Sequence, residues 1–243
     1  MANLLDSFIP AYRPEFPYAL DNEIMLSWYP NRILELHQNR GSLLEFGLGH
    51  GYTTKIFSEH FARHLVIDGS GSVIRQFREQ YPDCKADIQE ALFETFQTTE
   101  KFDVIVMGFI LEHVDSPQRI LGHAKQFLRP GGRCFIAVPN GESLHRRIGK
   151  AAGLLDDMMK LGAGDIALGH QRQYSREVLQ QELTSAGYRT VHCEGIFLKP
   201  LTTSQLTTLQ LNKEILTALC TVGINYPELC CGLLVEAEIR WRP

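Results

Sequence analysis

Short, continuously apolar segments alternate along the chain with longer stretches of mixed polarity. Four of the apolar segments have the length of a strand, and they span residues 42–46, 64–68, 102–108 and 133–138. Segments that are apolar throughout are typical of parallel strands covered by helices on both faces. Two later segments, at residues 190–198 and 231–241, also predict strands.

The stretches between these strands carry helix signals. Helices are predicted at residues 52–62, 70–81, 117–128 and 175–186. Ser116 and Ser175 are typical N-cap residues, and Pro117 suits a first helical turn. Strands that alternate with helices in this way predict an α/β fold built from right-handed crossovers.

A turn rich in glycine follows the first predicted strand and precedes a helix. Its sequence, EFGLGHG, contains Glu45, Gly47, Gly49 and Gly51. Glycines at such a turn permit tight backbone geometry and allow a ligand to approach the main chain closely. Asp68 ends the next strand, 21 residues after Gly47. A carboxylate there can accept hydrogen bonds from both ribose hydroxyls of an adenosine-type ligand.

Glu45 distinguishes between two classes of adenosine-containing cofactor. Nicotinamide and flavin cofactors place a pyrophosphate at this turn, and a carboxylate two residues before the first glycine would repel it. The same carboxylate would attract an ammonium and a sulfonium. The turn therefore favours S-adenosylmethionine, with a nicotinamide-dependent oxidoreductase as an alternative.

Four motifs in register resemble those of the class I S-adenosylmethionine-dependent methyltransferase family, of the small-molecule type. They are EFGLGHG at the glycine turn, Asp68 with Gly69 and Ser70, FDVIVMGFILEHVDSP, and LRPGGRCFIAVPN. The resemblance covers about residues 43–187. It implies a Rossmann-like, mostly parallel sheet of seven strands with helices on both faces, together with helical lid insertions.

The resemblance also implies which residues bind S-adenosyl-L-methionine and the product S-adenosyl-L-homocysteine. The glycine turn would contact the amino-acid part of the cofactor, Asp68 the ribose, and residues 108–113 the methionine end. Asp87 and Ile88 match the position that covers the adenine. The predicted cofactor-binding residues are Glu45, Gly47, Gly49, Gly51, Asp68, Gly69, Ser70, Asp87, Ile88, Gly108 and His113.

We expect one methyltransferase domain, residues 1–243, with four parts. They are an N-terminal lid (1–40), a cofactor-binding core (41–138), an insertion (139–174), and a C-terminal part of the sheet with a helical insertion (175–243). The helical insertion corresponds to residues 202–222, which separate the last two predicted strands.

Histidines supply the candidates for acid–base chemistry. A hydroxyl acceptor usually needs a general base nearby, whereas a neutral amine needs only alignment with the methyl group. His113 follows the strand at 102–108, and His170 lies in LGHQRQY, which resembles a motif of methyltransferases that act on sugars and small natural products. The predicted catalytic residues are His113, His170 and Tyr174.

The predicted substrate-binding residues come from the lid and the insertion, and they are Tyr12, Tyr18, His145, His170 and Arg172. Aromatic residues are dense ahead of the first strand, where helices can close over a site and exclude water. Two alternatives stay open. The aromatic residues can simply pack on the domain, and His170, Arg172 and Tyr174 can attach the insertion to the core.

Charge and cysteine content narrow the range of partners. The net charge is −4 and no basic run stands out, so no nucleic-acid partner is expected. No segment approaches the roughly 20 apolar residues of a membrane span, and we find no signal peptide, so we expect a cytoplasmic protein without membrane contact. The six cysteines show no CxxC spacing, and neither disulfides nor a metal site is predicted.

The sequence thus predicts S-adenosylmethionine-dependent methyl transfer to an oxygen or nitrogen of a small metabolite. A sugar, a natural-product intermediate or a polar heterocycle would fit the polar and aromatic character of the predicted pocket. The alternatives are a methyltransferase that acts on protein or RNA, and a non-catalytic protein that retains the cofactor fold. A monomer and a homodimer are both compatible with the sequence.

Overall fold

The structure is a computed structural model, and it describes residues 16–240. Seven strands form a single sheet in the order β3-β2-β1-β4-β5-β7-β6. The strands are β1 Ser42–Phe46, β2 Arg63–Asp68, β3 Asp87–Glu90, β4 Phe102–Gly108, β5 Leu128–Pro139, β6 Tyr188–Ile196 and β7 Gly232–Ile239. Strand β7 runs antiparallel to both of its neighbours, and the other pairings are parallel.

Helices follow most of the strands. They are α1 Ala19–Leu36, α2 Tyr52–Ser58, α3 Gly71–Gln80, α4 Pro117–Ala124, α5 Leu144–Ala151, α6 Ala163–Ala167, α7 Arg176–Ser185, α8 Thr203–Leu209 and α9 Lys213–Gly223. The predicted Rossmann-like fold, with its mostly parallel seven-stranded sheet and helices on both faces, is confirmed.

The alternation of side chains along each strand explains why both faces are covered. Leu43 belongs to a buried cluster with residues of α1, α2, α8 and α9, whereas its neighbour Leu44 packs with residues of α4 and α7. Because successive side chains of a strand point to opposite faces, a continuously apolar strand needs helices on each side.

The structure divides the predicted helix at residues 202–222 into two. Helix α8 ends where Gln210 adopts a left-handed backbone conformation, with φ of 47°. Asn212 then accepts a hydrogen bond from the main-chain nitrogen of Ile215 and caps α9. The sequence prediction missed this break because no glycine or proline marks it.

The site elements lie at one edge of the sheet. Parallel strands β1, β2, β4, β5 and β6 all end at this carboxyl edge, and the antiparallel β7 begins there. Ligands of open α/β sheets bind outside the carboxyl ends of the strands. Within residues 16–240, no helix combines the length and the apolar character needed to cross a membrane.

Candidate active site

The glycine turn has a backbone that glycine alone adopts without strain. Gly47, Gly49 and Gly51 have φ values of 84°, 48° and 79°. A Cβ atom at Gly47 would lie 2.6 Å from Cδ1 of Ile110, and one at Gly51 would lie 2.6 Å from the ring of Phe77. A Cβ at Gly49 would meet no atom within 4 Å. Packing therefore requires the outer two glycines, and the central one borders open space.

The carboxylate of Glu45 lies behind this turn, in a buried network. It accepts hydrogen bonds from the hydroxyls of Thr53 and Thr54, at 2.6 and 2.8 Å, and lies 3.0 Å from Nε2 of His64. Both threonines belong to the first turn of α2, where an acidic group is stabilising. The network attaches α2 to β1. A direct contribution of Glu45 to cofactor binding remains a prediction.

Asp68 stands at the end of β2 with its carboxylate held in place by the main chain. One oxygen accepts a hydrogen bond from the nitrogen of Leu48 at 2.9 Å, and the other from the nitrogen of Ser70 at 2.8 Å. Burial raises the pKa of this carboxyl group, although the two N–H donors oppose the effect. A carboxylate oxygen can accept more than one hydrogen bond, so both oxygens retain capacity for ribose hydroxyls.

Gly69 and Ser70 continue from Asp68 toward α3. The Ser70 hydroxyl accepts a hydrogen bond from the nitrogen of Val73 at 3.1 Å and caps this helix. Ser70 is buried. The predicted Asp-Gly-Ser segment thus joins the end of β2 to the helix that packs over it.

The residues predicted to contact the adenine, Asp87 and Ile88, lie away from the carboxyl edge of the sheet. Asp87 pairs with Leu65, so it lies at the amino end of β3, where it forms an exposed ion pair with Arg63 at 3.1 Å. Ile88 is buried with Val66 and residues of α3. Neither side chain lies at the carboxyl edge of the sheet.

Glu90 and Ala91 occupy the position that was assigned to Asp87. Glu90 pairs with Asp68, and the nitrogen of Ala91 donates to the Asp68 carbonyl at 2.9 Å. Strand β3 is a short edge strand of mostly exposed residues, and its polar sequence DIQE gives no apolar run to mark where it ends.

The end of β4 meets the N-terminal helix. A Cβ atom at Gly108 would collide with the hydroxyl of Tyr29, so a glycine is needed where α1 crosses this strand. The next residue, Phe109, has a φ of 57°, a strained conformation for a non-glycine residue. Its ring packs edge-on against that of Tyr29, with centroids 5.7 Å apart. Strain at this point of the chain is typical of functional segments.

Three titratable side chains come together beyond β4. Glu112, His113 and His170 offer ligand atoms that all lie within 4.8 Å of one another. The rings of His113 and His170 meet edge to face, with centroids 4.8 Å apart and an interplanar angle of 82°. The sequence predicted both histidines in the site but gave no role to Glu112.

Burial shifts the pKa values of Glu112 and His113 in opposite directions. It raises the pKa of Glu112 to about 7, and neither carboxylate oxygen has a hydrogen-bond partner among the described residues. Burial, and then the charge of His170, lowers the pKa of His113 to about 3, so this imidazole is neutral near neutral pH. Nδ1 of His170 lies 3.4 Å from Asp165, close enough for attraction but without hydrogen-bond alignment. Two imidazoles and a carboxylate at this spacing can take up a proton, and they have the chemistry to hold a divalent cation.

Arg172 and Tyr174, predicted to bind substrate and to take part in catalysis, make the attaching contacts that the sequence left open as the alternative. Arg172 donates to the carbonyls of Leu111, at 2.7 Å, and Val114. The Tyr174 side chain is fully buried, and its hydroxyl donates to the carboxylate of Glu182 at 2.9 Å. The Arg172 contacts fix the end of the insertion to the loop after β4, and the Tyr174 contact fixes it to α7.

The predicted substrate-binding residues Tyr18 and His145 border the same edge. Tyr18 packs against Gly164 of the insertion. Nδ1 of His145 lies 3.1 Å from the hydroxyl of Ser143 and 3.8 Å from the thiol of Cys231. Tyr12 lies outside the described residues.

Helix α1 also contacts the glycine turn. Nδ2 of Asn22 lies 3.3 Å from Nε2 of His50, the residue between Gly49 and Gly51. Burial lowers the pKa of His50 to about 4. The N-terminal helix therefore reaches the turn as well as the end of β4.

Comparisons with known proteins agree with this arrangement. Residues 22–193 match the model of a family described as a methyltransferase domain. The ubiquinone biosynthesis O-methyltransferase of Coxiella burnetii (strain RSA 331) is 26% identical over 193 residues, which cover 76% of this chain and 78% of that protein. The corresponding enzyme of Aeromonas salmonicida (strain A449) is 28% identical over 123 residues, 49% of this chain and 51% of that protein.

Solved structures show the same fold at lower identity. The N-methyltransferase NodS of Bradyrhizobium japonicum WM9, in complex with S-adenosyl-L-homocysteine, superposes with a TM-score of 0.61 at 16% identity, covering 98% of this chain and 99% of that one. The 1,6-didemethyltoxoflavin-N1-methyltransferase of Burkholderia thailandensis gives a TM-score of 0.64 at 16% identity, covering 98% and 88%.

The fold and the glycine turn define a methyltransferase of class I. The chain belongs to the methyltransferase-domain family, and it is an S-adenosylmethionine-dependent methyltransferase, as the sequence predicted.

Proposed function

We propose that the enzyme methylates a hydroxyl group of a small aromatic acceptor, with the His113–His170 pair as proton acceptor. The observation that carries this proposal is the meeting of two imidazole rings beside a buried carboxyl group, close to the end of β4, where the sequence predicts the methyl donor. The names of the sequence relatives, ubiquinone biosynthesis O-methyltransferases, support oxygen as the acceptor atom.

A phenolic hydroxyl needs a general base to remove its proton, whereas a neutral amine does not. Its pKa is about 10, so it is protonated near neutrality and attacks a methyl group poorly. A neutral imidazole within reach can take the proton as the oxygen–carbon bond forms. The bond between carbon and the sulfonium breaks in the same step, and S-adenosyl-L-homocysteine leaves as a neutral thioether.

Each of the three residues has a distinct part in this scheme. Burial lowers the pKa of His113 to about 3, so this imidazole stays neutral and would pass a proton on to its neighbours without retaining it. His170 contacts it from the insertion, and Asp165 lies beside His170 to stabilise the charge that protonation creates. Glu112 is fully buried beside them, has a pKa near that of an imidazole and can share the proton.

The remaining elements position the donor. The oriented carboxylate of Asp68 would hold the ribose, and the open space at Gly49 would receive the amino-acid part. Positioning of donor and acceptor contributes most of the rate for a methyl donor that is already activated. Small-molecule acceptors fit the acidic balance of the chain better than an RNA does, since the net charge is −4.

One probe carries both candidate acceptor atoms. ortho-Aminophenol should be incubated with S-adenosylmethionine and the purified enzyme, and the product identified by mass spectrometry and NMR. We expect the O-methyl product, although the free amine is the better nucleophile. In His170→Ala, the O-methyl product should fall far more than any N-methyl product. Exclusive N-methylation by the unaltered enzyme would refute the proposal and favour the amine chemistry named for the solved neighbours.

A further inference from the structure

Three separate parts of the chain converge on one buried lysine. Lys199 follows β6 and is only 2% exposed. Asp21 reaches it from α1, and Thr203 from the first turn of α8. Tyr18 and Cys231 lie close enough to Lys199 to influence its pKa. The lid, the helical insertion and the sheet therefore meet at this point, which the sequence gave no reason to expect.

The hydrogen bonds around Lys199 leave one oxygen of Asp21 and one N–H group of Lys199 without a partner among the described residues. One oxygen of Asp21, Oδ2, accepts from the Lys199 ammonium and from the Thr203 hydroxyl, the latter at 2.8 Å. Nζ of Lys199 also donates to the Thr203 hydroxyl at 3.1 Å. The other oxygen of Asp21, Oδ1, is buried and has no partner among the described residues. An ammonium has three N–H groups, and these contacts use two of them.

A buried carboxylate oxygen without a donor is unusual, because leaving it unpaired carries the full cost of its desolvation. Asp21 is 5% exposed, so bulk water does not supply the donor. The free oxygen and the remaining N–H group together offer one hydrogen-bond acceptor and one donor. A hydroxyl group satisfies both, since it donates one hydrogen bond and accepts others.

Charge restricts the ligand further. Asp21 and Lys199 form a buried ion pair, so their charges offset one another. Burial lowers the pKa of Lys199, but the neighbouring groups, Asp21 among them, more than reverse this effect. A carboxylate or ammonium on the ligand would bring an unpaired charge into a buried position, at high cost. The pair therefore favours a neutral polar group.

The pair lies near the carboxyl edge of the sheet. Lys199 follows the carboxyl end of β6, and Cys231 comes directly before β7. A Cβ at Gly232 would lie 3.3 Å from the ring of Phe109, the residue after Gly108. The polar pair is thus displaced along the sheet from the end of β4, on the side away from β1 and the glycine turn.

We propose that Asp21 and Lys199 form a polar anchor that binds a second hydroxyl group of the acceptor. The acceptor is then a dihydroxylated molecule, with one hydroxyl at the methyl donor and the other between Asp21 Oδ1 and the Lys199 ammonium. This inference rests on the proposed function, because it assumes a small hydroxylated acceptor.

Binding without turnover tests the anchor separately from the chemistry. Calorimetry with S-adenosyl-L-homocysteine present should compare phenol with catechol, resorcinol and hydroquinone. We expect at least one dihydroxybenzene to bind about tenfold more tightly than phenol, as two added hydrogen bonds allow. Asp21→Asn, which preserves shape, and Lys199→Met should abolish most of this preference. Both should leave the affinity for S-adenosyl-L-homocysteine unchanged, which also shows that they fold.

Arg32→Met is the matched control. Arg32 forms a second ion pair between α1 and the sheet, with two bonds to the buried Glu194 at 2.8 and 2.9 Å. If Asp21 and Lys199 merely hold the lid in place, their variants should resemble Arg32→Met and keep the preference for dihydroxybenzenes, which would overturn the anchor. Equal binding of phenol and all three dihydroxybenzenes by the unaltered enzyme would overturn it as well.

The two proposals fail in different ways. An enzyme that prefers dihydroxybenzenes but methylates only nitrogen retains the anchor and refutes the proposed O-methylation. An enzyme that methylates oxygen, with a hydroxyl preference unaltered in Asp21→Asn, retains the proposed function and refutes the anchor.

Discussion

The imidazole of His113 meets that of His170 edge to face, with ring centroids 4.8 Å apart. The two residues lie 57 positions apart in the chain, and the loop after β4 and the long insertion each supply one of them. Main-chain contacts hold the pair together, since the nitrogen of Gln171 donates to the Glu112 carbonyl at 2.8 Å. The insertion is thereby attached to the loop after β4 at the proposed active site.

This pair should control the rate of methyl transfer and not the binding of the cofactor. His113→Ala and His170→Ala should each lower kcat for O-methylation by about a hundredfold or more, the contribution typical of a general base. The affinity for S-adenosyl-L-homocysteine, measured by calorimetry, should stay within about twofold, because neither ring is needed to hold the ribose. His60→Ala, on an exposed residue of the surface, serves as the control. Equal losses of rate and cofactor affinity would indicate a scaffold role.

Glu112 should make the stability of the enzyme depend on pH. The pKa of its carboxyl group is 4.5 before burial and about 7 in the fold. Between these values the folded protein holds a proton that the unfolded chain has released. The free energy of unfolding therefore falls as the pH rises from 4.5 to 7, by about 3 kcal/mol at 1.36 kcal/mol for each pKa unit.

The variant Glu112→Gln cannot ionise and should escape this loss. Its stability relative to the unaltered enzyme should rise by about 3 kcal/mol between roughly pH 4.5 and pH 8. Urea unfolding at several pH values measures the difference. Parallel stability curves for the two proteins would show that Glu112 ionises as readily in the fold as in the unfolded chain.

Two aspartates on neighbouring strands should differ in their effect on the cofactor. Asp68→Asn removes a charge from a carboxylate that is oriented by two main-chain N–H groups, and we expect cofactor affinity to fall at least tenfold. Asp87→Asn should leave cofactor affinity unchanged, because Asp87 lies at the opposite end of its strand. Its exposed ion pair with Arg63 should contribute less than about 1 kcal/mol to stability. A loss of affinity in Asp87→Asn would restore the original assignment.

The difference between these aspartates shows which positions in the fold a sequence pattern can locate. The glycine turn and Asp68 were predicted because a strand, a turn and a capped helix follow one another within a few residues. Asp87 was misplaced because β3 is an exposed edge strand, whose end no apolar pattern marks.

The parts of the site that the sequence did not predict depend on contacts between residues far apart in the chain. The partners of Arg172 and Tyr174 include main-chain carbonyls about 60 residues away, and no side-chain pattern records such contacts. Asp21 and Lys199 are separated by 178 positions. Glu112 was within a recognised motif, yet only the fold reveals that its carboxylate lies buried without a partner.

Gly49 allows the position of the cofactor to be tested with a matched control. Gly49 and Gly131 both have positive φ, at 48° and 78°, and a Cβ atom at either would meet nothing within 4 Å. Alanine at each position should therefore cost only the strain of a left-handed backbone, about 1–2 kcal/mol. Gly131 lies near the amino end of β5, whereas the glycine turn lies at the carboxyl edge.

Cofactor affinity should separate the two variants. If the open space at Gly49 receives S-adenosylmethionine, the added methyl group of Gly49→Ala would occupy part of that space. Its affinity for S-adenosyl-L-homocysteine should fall at least tenfold, or about 1.4 kcal/mol, while Gly131→Ala binds normally. Thermal unfolding with and without the ligand measures both stability and affinity, since a ligand at 100 times its Kd stabilises a protein by about 2.7 kcal/mol. Normal binding by Gly49→Ala would mean that the cofactor does not occupy the space beside Gly49.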